Sequence, residues 1–174
     1  MKPKPHVLLL TGTPGIGKTT VIRHVAEQLS DKRLGGFYTR EIRIGGYRKG
    51  FELICFNGQA LVFAHIDFPK HFRVSKYGVD VTVLDKIADN VLSPKQRVDF
   101  YLVDEVGKME CFSEKFVHAI RKLLNSDEKI VATVALHGTG LIEEVKQRRD
   151  VTLWEITYEN RDEMSQKVLN WLSE

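Results

Sequence analysis

The fold of this chain is decided by the stretch Gly12-Thr13-Pro14-Gly15-Ile16-Gly17-Lys18-Thr19. It matches G-x-x-x-x-G-K-[ST] at every fixed position, the pattern of a loop that holds nucleotide phosphates. The short apolar run at Val7–Thr11 precedes it and predicts a buried strand. The segment Lys18–Leu29 follows it and carries its apolar residues on one helical stripe. The sequence therefore predicts a strand, a phosphate-binding loop and a helix in succession.

The residue types in this loop suit a triphosphate. Glycine reaches backbone conformations that are closed to other residues, which lets successive N–H groups approach phosphate oxygens. The N-terminus of the following helix adds a fixed positive partial charge. We expect Lys18 to reach the β- and γ-phosphates, Thr19 to ligate Mg²⁺ through its hydroxyl, and Thr20 to hydrogen-bond a phosphate oxygen. The alternative, a glycine-rich turn that only caps a helix, is disfavoured by the complete match in this context.

A second apolar run, Phe100–Val103, ends in the adjacent acids Asp104 and Glu105. Ligands of α/β sheets bind at the carboxyl ends of the strands. We therefore expect Asp104 to bind Mg²⁺, directly or through water, and Glu105 to act as the general base toward water. The alternative is a strand that ends in acids because its loop is solvated. By analogy with other phosphate-loop folds, two adjacent acids also indicate the subclass in which one further strand lies between the acidic strand and the strand that precedes the phosphate loop.

Strands and helices alternate along most of the chain, which predicts an α/β fold with a largely parallel sheet. The segment Phe37–Ile66 is different: it is β-rich, and Gly45-Gly46 and Asn57-Gly58 are two-residue hairpin signals, so we expect an antiparallel extension of the sheet. Further predicted elements are a helix at Thr82–Leu92 with Thr82 as its N-cap, a helix through Phe116–Leu124, a strand at Lys129–Leu136, a short helix at Leu141–Val145, a strand at Val151–Thr157, and a helix at Arg161–Leu172 with Met164, Val168, Trp171 and Leu172 inward.

Several arginines are candidates for a finger that stabilises charge on the transferred phosphate. Arg40 and Arg48 lie in the β-rich extension with Arg43 and Lys49, where the alternative is a solvated basic sheet face. Arg148 and Arg149 follow a short helix and favour a solvated helix end instead. The finger therefore stays open among Arg40, Arg48, Arg148, Arg149 and Arg161.

Two segments that follow predicted strands are further candidates for the site. Asn160 and Arg161 come after the last strand, where loops of such folds approach the base or ribose; with Glu163, Asn160 is also a reasonable helix cap. Thr133 and His137 lie along and after the strand Lys129–Leu136. They are candidates to sense the γ-phosphate or hold the attacking water, and the alternatives are a satisfied buried hydroxyl and a solvated loop.

Composition excludes several classes of protein. The 174 residues favour one domain spanning 1–174, with the β-rich insertion at about 35–66. The net charge of +3 does not require a nucleic-acid partner, although it leaves one open. Two cysteines are too few for a disulfide framework or a structural zinc site and are typical of a reduced, cytoplasmic protein. No apolar run is long enough for a transmembrane helix.

With these motifs in hand, four segments resemble the thermophilic nucleoside-triphosphatase family, which includes the human cancer-related nucleoside-triphosphatase. They are Gly35–Arg43, Gly46–Leu53, Asp104–Glu110 and Glu159–Asp162. The resemblance runs from about Val7 to the C-terminal helix. It implies a P-loop NTPase fold of the RecA-like, additional-strand type, with a mostly parallel central sheet, flanking helices and the antiparallel extension.

The resemblance also implies an activity: hydrolysis of nucleoside triphosphates to diphosphates and phosphate, with broad base tolerance that includes ATP and GTP. It implies that the stretch Gly12–Thr19 and the stretch Asp104-Glu105-Val106-Gly107 contact the nucleotide. We expect Mg²⁺ as the cofactor, nucleoside triphosphates as the ligands, no membrane partner and a monomer.

Two other functions stay open at this point. A small nucleotide, nucleoside or polynucleotide kinase has a compatible length and loop, although no Arg-rich lid segment is evident. A non-catalytic, nucleotide-dependent switch would bind tightly without turnover, although the sequence contains no obvious switch threonine. The short chain leaves little room for an acceptor domain, which favours water as the acceptor.

Overall fold

The strand β1 (Val7–Thr11) is buried along its whole length and carries the phosphate-loop motif at its carboxyl end. The computed structural model describes residues 4–93 and 97–174. Within them, the further strands are β2 (Leu34–Ile44), β3 (Tyr47–Cys55), β4 (Ala60–His65), β5 (Arg73–Val74), β6 (Tyr77–Val79), β7 (Phe100–Val106), β8 (Ile130–Val134) and β9 (Val151–Glu155). The helices are α1 (Lys18–Gln28), α2 (Val81–Asn90), a 3₁₀ helix (Glu110–Phe112), α3 (Glu114–Leu124), α4 (Leu141–Lys146) and α5 (Arg161–Ser173).

The described strands form one sheet in the order β5-β6-β4-β3-β2-β7-β8-β1-β9. The pairs β1–β8, β1–β9, β7–β8 and β2–β7 are parallel, which confirms the predicted α/β class. β8 lies between β7 and β1, so a strand does separate the acidic strand from that of the loop. The carboxyl ends of these strands meet at one edge, and this edge brings the two motifs together.

The β-rich extension continues the central sheet through β2. This strand is parallel to β7 over Leu34–Phe37 and antiparallel to β3 over Phe37–Ile44. The predicted Gly45-Gly46 turn joins β2 to β3, whereas the Asn57-Gly58 turn lies in a four-residue connection between β3 and β4 rather than a two-residue one. There the Asn57 side chain accepts a hydrogen bond from the Gln59 N–H at 3.0 Å. β5 and β6 were not predicted, because strands of two and three residues show no periodicity.

Alternation along β1 divides the apolar core between the two faces of the sheet. Val7 and Leu9 pack into the cluster that includes α2, α3 and α4, whereas Leu8 and Leu10 pack into the cluster that includes α1 and α5. Successive side chains of a strand point to opposite faces, so a strand covered on both faces must be apolar throughout. This requirement explains the unbroken apolar run before the loop.

The N-cap of α2 differs from the residue predicted from the sequence. α2 is capped by Asp80, whose carboxylate accepts hydrogen bonds from the Thr82 N–H at 3.0 Å and hydroxyl at 2.6 Å, so the prediction of Thr82 as N-cap was wrong. Ser113 caps α3 through the Phe116 N–H at 3.0 Å. Trp171 is only half-buried and has the Lys129 ammonium over its ring. In the part of the chain that the structure describes, no helix has the length and apolar character needed to cross a membrane.

Gly36 lets β2 approach β7 closely. Its φ of +97° lies in the left-handed region, and a Cβ there would overlap the carbonyl oxygen of Leu102 on β7. Gly58 has the same φ of +97°, but a Cβ there would meet nothing within 4 Å. Substitution of Gly58 therefore tests backbone strain alone, whereas substitution of Gly36 tests backbone strain together with steric overlap.

We expect Gly36→Ala to lower the free energy of unfolding by about 3 kcal/mol, because backbone strain and steric overlap add. Gly58→Ala should cost only about 1 kcal/mol, because strain acts there alone. Urea unfolding followed by circular dichroism measures both values. Equal losses in the two variants would contradict the close approach of β2 to β7.

Candidate active site

The phosphate-loop motif forms the turn between β1 and α1. Gly15 and Gly17 have φ values of +81° and +118°, and the Ile16 N–H donates to the Thr13 carbonyl at 3.1 Å. Gly17 is the N-cap of α1, and no side chain caps the first turn of that helix. The first N–H groups of α1 are therefore not covered by a capping side chain, as binding of an anion at this end requires.

Lys18 is folded back over the loop that precedes it. Its side chain is buried, and its ammonium donates to the Gly12 carbonyl at 2.8 Å. The same nitrogen lies 3.8 Å from Oε2 of Glu105. The loop thus places the ammonium of Lys18 beside the carboxyl group of Glu105, although the two residues are far apart in sequence.

Asp104 is buried at the carboxyl edge of β7 and is held by three threonines. One carboxylate oxygen accepts from the Thr19 hydroxyl at 2.8 Å and the Thr39 N–H at 3.1 Å, and the other accepts from the Thr133 hydroxyl at 2.8 Å. The Thr39 hydroxyl also donates to the Asp104 carbonyl at 2.6 Å. Burial raises the pKa of Asp104 above its ordinary value, and these donors and Lys18 oppose that rise.

Thr19 and Asp104 are suitable ligands for a magnesium ion. A hydroxyl and a carboxylate are hard oxygen donors, and here they lie within hydrogen-bond distance of each other. Among residues 4–93 and 97–174, no group of three or more His, Cys, Asp or Glu side chains could hold a metal. Mg²⁺ usually takes only one or two protein ligands beside substrate phosphates and water, so this pair fits a cation that binds together with a triphosphate.

Glu105 faces the loop from the neighbouring position of β7. Its side chain is 29% exposed, so solvent and a substrate can reach it. Burial raises the pKa of Glu105, the Lys18 ammonium opposes the rise, and the Asp104 charge adds to it. A carboxyl group beside a cation and open to solvent has the setting of a general base.

Glu110 was not a candidate in the sequence prediction, yet it lies against the same site. It is 6% exposed on the 3₁₀ helix that follows β7. Burial raises its pKa well above the ordinary value, and the charges of Glu105 and Asp104 raise it further, against the opposing backbone N–H groups of Gly107 and Glu110. The only signal in the sequence was one more acid in the segment Asp104–Glu110.

A cleft of about 380 Å³ opens beside the loop between α1 and α5. It is lined by Gly15, Ile16, Gly17, Thr20, Val21, His24, Arg161, Asp162 and Ser165. Two predicted site residues from distant parts of the sequence, Thr20 and Arg161, therefore share one cleft. The Arg161 guanidinium also lies 5.0 Å from the centre of the Tyr158 ring.

Asn160 stands at the N-cap position of α5, but its side chain makes no capping hydrogen bond. Instead it accepts from the Thr157 N–H at 2.8 Å and donates to the Glu155 carbonyl at 2.9 Å. Both polar atoms of the side chain are thus used within the loop after β9. The expected contact of Asn160 with the nucleotide stays a prediction.

The other candidate arginines make contacts elsewhere in the fold. Arg40 pairs with Glu52 across β2 and β3, and Arg48 donates to the Tyr77 hydroxyl at 2.8 Å and pairs with Glu41. These contacts agree with a basic sheet face in the extension.

The arginine pair Arg148-Arg149 lies between α4 and β9. Arg148 pairs with Asp150 at 2.6 Å and donates to the Leu124 carbonyl, while Arg149 is exposed just after α4. His137 is exposed after β8. The Val106 side chain is buried in the core, so only the backbone of Val106 could make the predicted contact with the nucleotide.

The fold and the loop define an α/β protein of the P-loop NTPase class. Residues 7–169 match a family model described as NTPase. The nucleoside-triphosphatase THEP1 of Thermotoga maritima is 37% identical over 166 residues, which cover 95% of this chain and 94% of that protein. The human cancer-related nucleoside-triphosphatase is 35% identical, in an alignment that covers 90% of this chain and 91% of that protein. The chain belongs to this nucleoside-triphosphatase family, which confirms the resemblance drawn from its motifs.

Solved structures of the family agree with the fold described above. The crystal structure of THEP1 from Aquifex aeolicus has a TM-score of 0.86 at 33% identity, covering 97% of this chain and 99% of its own. The solution structure of the human cancer-related enzyme has a TM-score of 0.81 at 32% identity, covering 95% of this chain and 96% of its own. The likeness therefore extends over nearly all of the chain.

We expect Glu110→Gln to change how stability depends on pH. Because the pKa of Glu110 is raised in the folded protein, the folded state keeps a proton that the unfolded state releases above an ordinary glutamate pKa of about 4.3. This contribution to stability therefore falls as pH rises, and the neutral amide removes it. Urea unfolding at about pH 5 and about pH 8 should show Glu110→Gln gaining stability relative to the original protein as pH rises.

The matched control is Glu27→Gln, at an exposed position of α1. Its stability should follow that of the original protein at both pH values. A Glu110→Gln difference that does not change between the two pH values would contradict a buried, proton-carrying Glu110.

Proposed function

We propose that this protein is a Mg²⁺-dependent nucleoside-triphosphatase that converts a nucleoside triphosphate and water into the diphosphate and phosphate. The observation that carries the proposal is the meeting of Lys18, Thr19, Asp104 and Glu105 at one edge of the sheet. The family membership and the names of the relatives support the same reaction class.

The loop residues bind the triphosphate. The backbone N–H groups of Gly15 and Gly17 and the start of α1 supply donors and positive partial charge, and Lys18 supplies a full charge. Thr20 lies in the cleft next to these residues and is suited to a phosphate oxygen nearer the nucleoside. Positioning and charge stabilisation dominate the catalysis of phosphoryl transfer, so these groups act mainly on the transition state.

Thr19 and Asp104 are the residues that would hold Mg²⁺, which when bound neutralises charge on the phosphates. Glu105 orients a water molecule and accepts its proton as the water oxygen bonds to the γ-phosphorus. The bond between that phosphorus and the bridging oxygen breaks, and the diphosphate leaves with the electron pair. Lys18 offsets the charge that develops during this step.

The nucleoside end of the substrate is assigned to the cleft between α1 and α5. Arg161 lies there beside the phosphate loop, whereas Arg40, Arg48 and Arg148 are engaged in the contacts described above. We therefore favour Arg161 over these three as the arginine that meets the nucleotide. Broad base tolerance, including ATP and GTP, is proposed from the resemblance to the family, and the sequence contains no guanine-specific N-K-x-D element that would fix a base preference.

We also propose that the protein is a single domain, cytoplasmic and monomeric. One domain is supported by the single sheet that contains all the described strands. A cytoplasmic location is supported by the free cysteines Cys55 and Cys111. A monomer that needs no nucleic acid is the simplest arrangement for a site whose proposed residues all come from one chain.

Glu105→Gln should retain binding of the Mg²⁺–nucleotide complex and lose turnover by at least about 100-fold, because the amide cannot accept the proton. Phosphate release with ATP, GTP, CTP and UTP measures turnover, and calorimetry measures binding. The control Glu27→Gln should keep both. Turnover that survives in Glu105→Gln would exclude Glu105 as the base.

Lys18→Ala should weaken binding of every triphosphate and reduce turnover, since one buried positive charge at the phosphates is lost. The control is Lys32→Ala, at an exposed position after α1. A Lys18→Ala variant that binds and hydrolyses nucleotide normally would refute the loop assignment.

The original protein distinguishes the two alternative functions. Transfer of labelled phosphate to an added nucleoside or polynucleotide would show a kinase, and tight binding of nucleotide without turnover would show a switch.

A further inference from the structure

Gly107 leaves a gap that two carboxyl groups share. A Cβ at this position would lie 2.9 Å from Oε1 of Glu105 and 2.9 Å from Oε2 of Glu110. The two carboxyl oxygens are therefore no farther apart than twice that distance, which is within reach of one bridging water molecule. The other oxygen of Glu105 faces Lys18. Glu105 thus lies between a cation on one side and a second acid on the other.

The backbone that carries Glu110 is fixed at several points. The Cys111 N–H donates to the Gly107 carbonyl at 3.1 Å, and the Ser113 N–H donates to the Glu110 carbonyl at 3.1 Å. Ser113 is itself buried and donates to Asp85 of α2 at 2.6 Å. The Glu110 side chain is therefore directed into the site by a well-held turn, yet the reaction proposed above does not use it.

The two acids differ in what surrounds them. Glu105 is partly exposed and has the Lys18 ammonium 3.8 Å from one of its oxygens, whereas Glu110 is buried and, among the residues that the structure describes, no cationic side chain pairs with it. A buried carboxyl group without a cation is costly to ionise. When the two acids share a proton, Glu110 is therefore the one that holds it.

We propose that Glu110 is a positioning residue for Glu105: its protonated carboxyl donates a hydrogen bond to Glu105, directly or through one water molecule, and orients the base. The inference rests on the proposed role of Glu105. A protonated carboxyl is a hydrogen-bond donor. Each carboxylate oxygen has two lone pairs, so Glu105 can accept this bond on Oε1 and still accept a hydrogen bond from the attacking water on Oε2, which lies 3.8 Å from the Lys18 ammonium. A side chain at position 107 would bring its Cβ to 2.9 Å from a carboxyl oxygen of each acid, so glycine leaves room for their contact.

Two substitutions at Glu110 separate hydrogen bonding from packing. Glu110→Gln keeps a donor of the same shape, so its kcat should stay within about threefold of the original value. Glu110→Met has a similar size but no donor, so its kcat should fall about tenfold or more while KM for ATP is unchanged. In the Glu105→Gln background, Glu110→Met should cause no further loss of kcat, because it acts only through Glu105.

A third variant reaches the same contact from its other side. Gly107→Ala brings a methyl group to 2.9 Å from a carboxyl oxygen of each acid, so these side chains must shift and kcat should fall; it keeps the test decisive if Glu110→Met does not fold. The matched control is Asp80→Ala, which removes the cap of α2 and should lower Tm while leaving kcat unchanged.

The outcomes separate the two proposals. If Glu105→Gln abolishes turnover but Glu110→Met and Gly107→Ala keep normal kcat, or if the losses at Glu105 and Glu110 multiply, the role of Glu110 is refuted and that of Glu105 stands. If Glu105→Gln turns over normally, both proposals fail. A loss of kcat in Glu110→Gln as large as that in Glu110→Met would also overturn the hydrogen-bond role.

Discussion

The buried carboxylate of Asp104 is the constraint on which the rest of the structure depends. Its oxygens accept hydrogen bonds from Thr19 of α1, Thr39 of β2 and Thr133 of β8. A buried charge is costly unless its oxygens accept hydrogen bonds, so displacement of any of these three threonines would leave part of the carboxylate unsatisfied. One side chain thereby connects the phosphate loop, the central strands and the start of the β-rich extension.

The β-rich extension is joined to the candidate active site by β2 and is more than an appendage to the sheet. Gly36 allows this strand to approach β7, and three residues later Thr39 reaches Asp104 through both its N–H and its hydroxyl. Farther along, the same strand presents Arg40 to Glu52 of β3. The ion pairs that align the extension thus also fix the strand that holds Asp104. A structural role explains this basic cluster without requiring contact with phosphate.

The sequence predicted the features that are carried by local patterns. The motif Gly12–Thr19, the apolar runs of β1 and β7 and the order of helices and strands follow from periodicity and turn residues. Thr39 and Glu110 were missed, because their importance comes from contacts with residues distant in sequence or from burial that no local pattern reveals. The cap at Asp80 was missed because Thr82 is also a good capping residue, and only the geometry of the turn decides between them.

The three acids of the segment Asp104–Glu110 show why residue type alone does not assign a role. Burial raises the pKa of all three, but what opposes that rise differs at each position. Threonine donors and the Lys18 ammonium oppose it at Asp104, the same ammonium opposes it at Glu105, and only backbone N–H groups do so at Glu110. The roles proposed above follow these differences: Asp104 with its threonine partners is assigned to the cation, the partly exposed Glu105 beside Lys18 to the base, and the buried Glu110 to the orientation of Glu105. Because the compensating groups come from β2, β8 and the phosphate loop, the chemistry of this segment is set by the sheet topology.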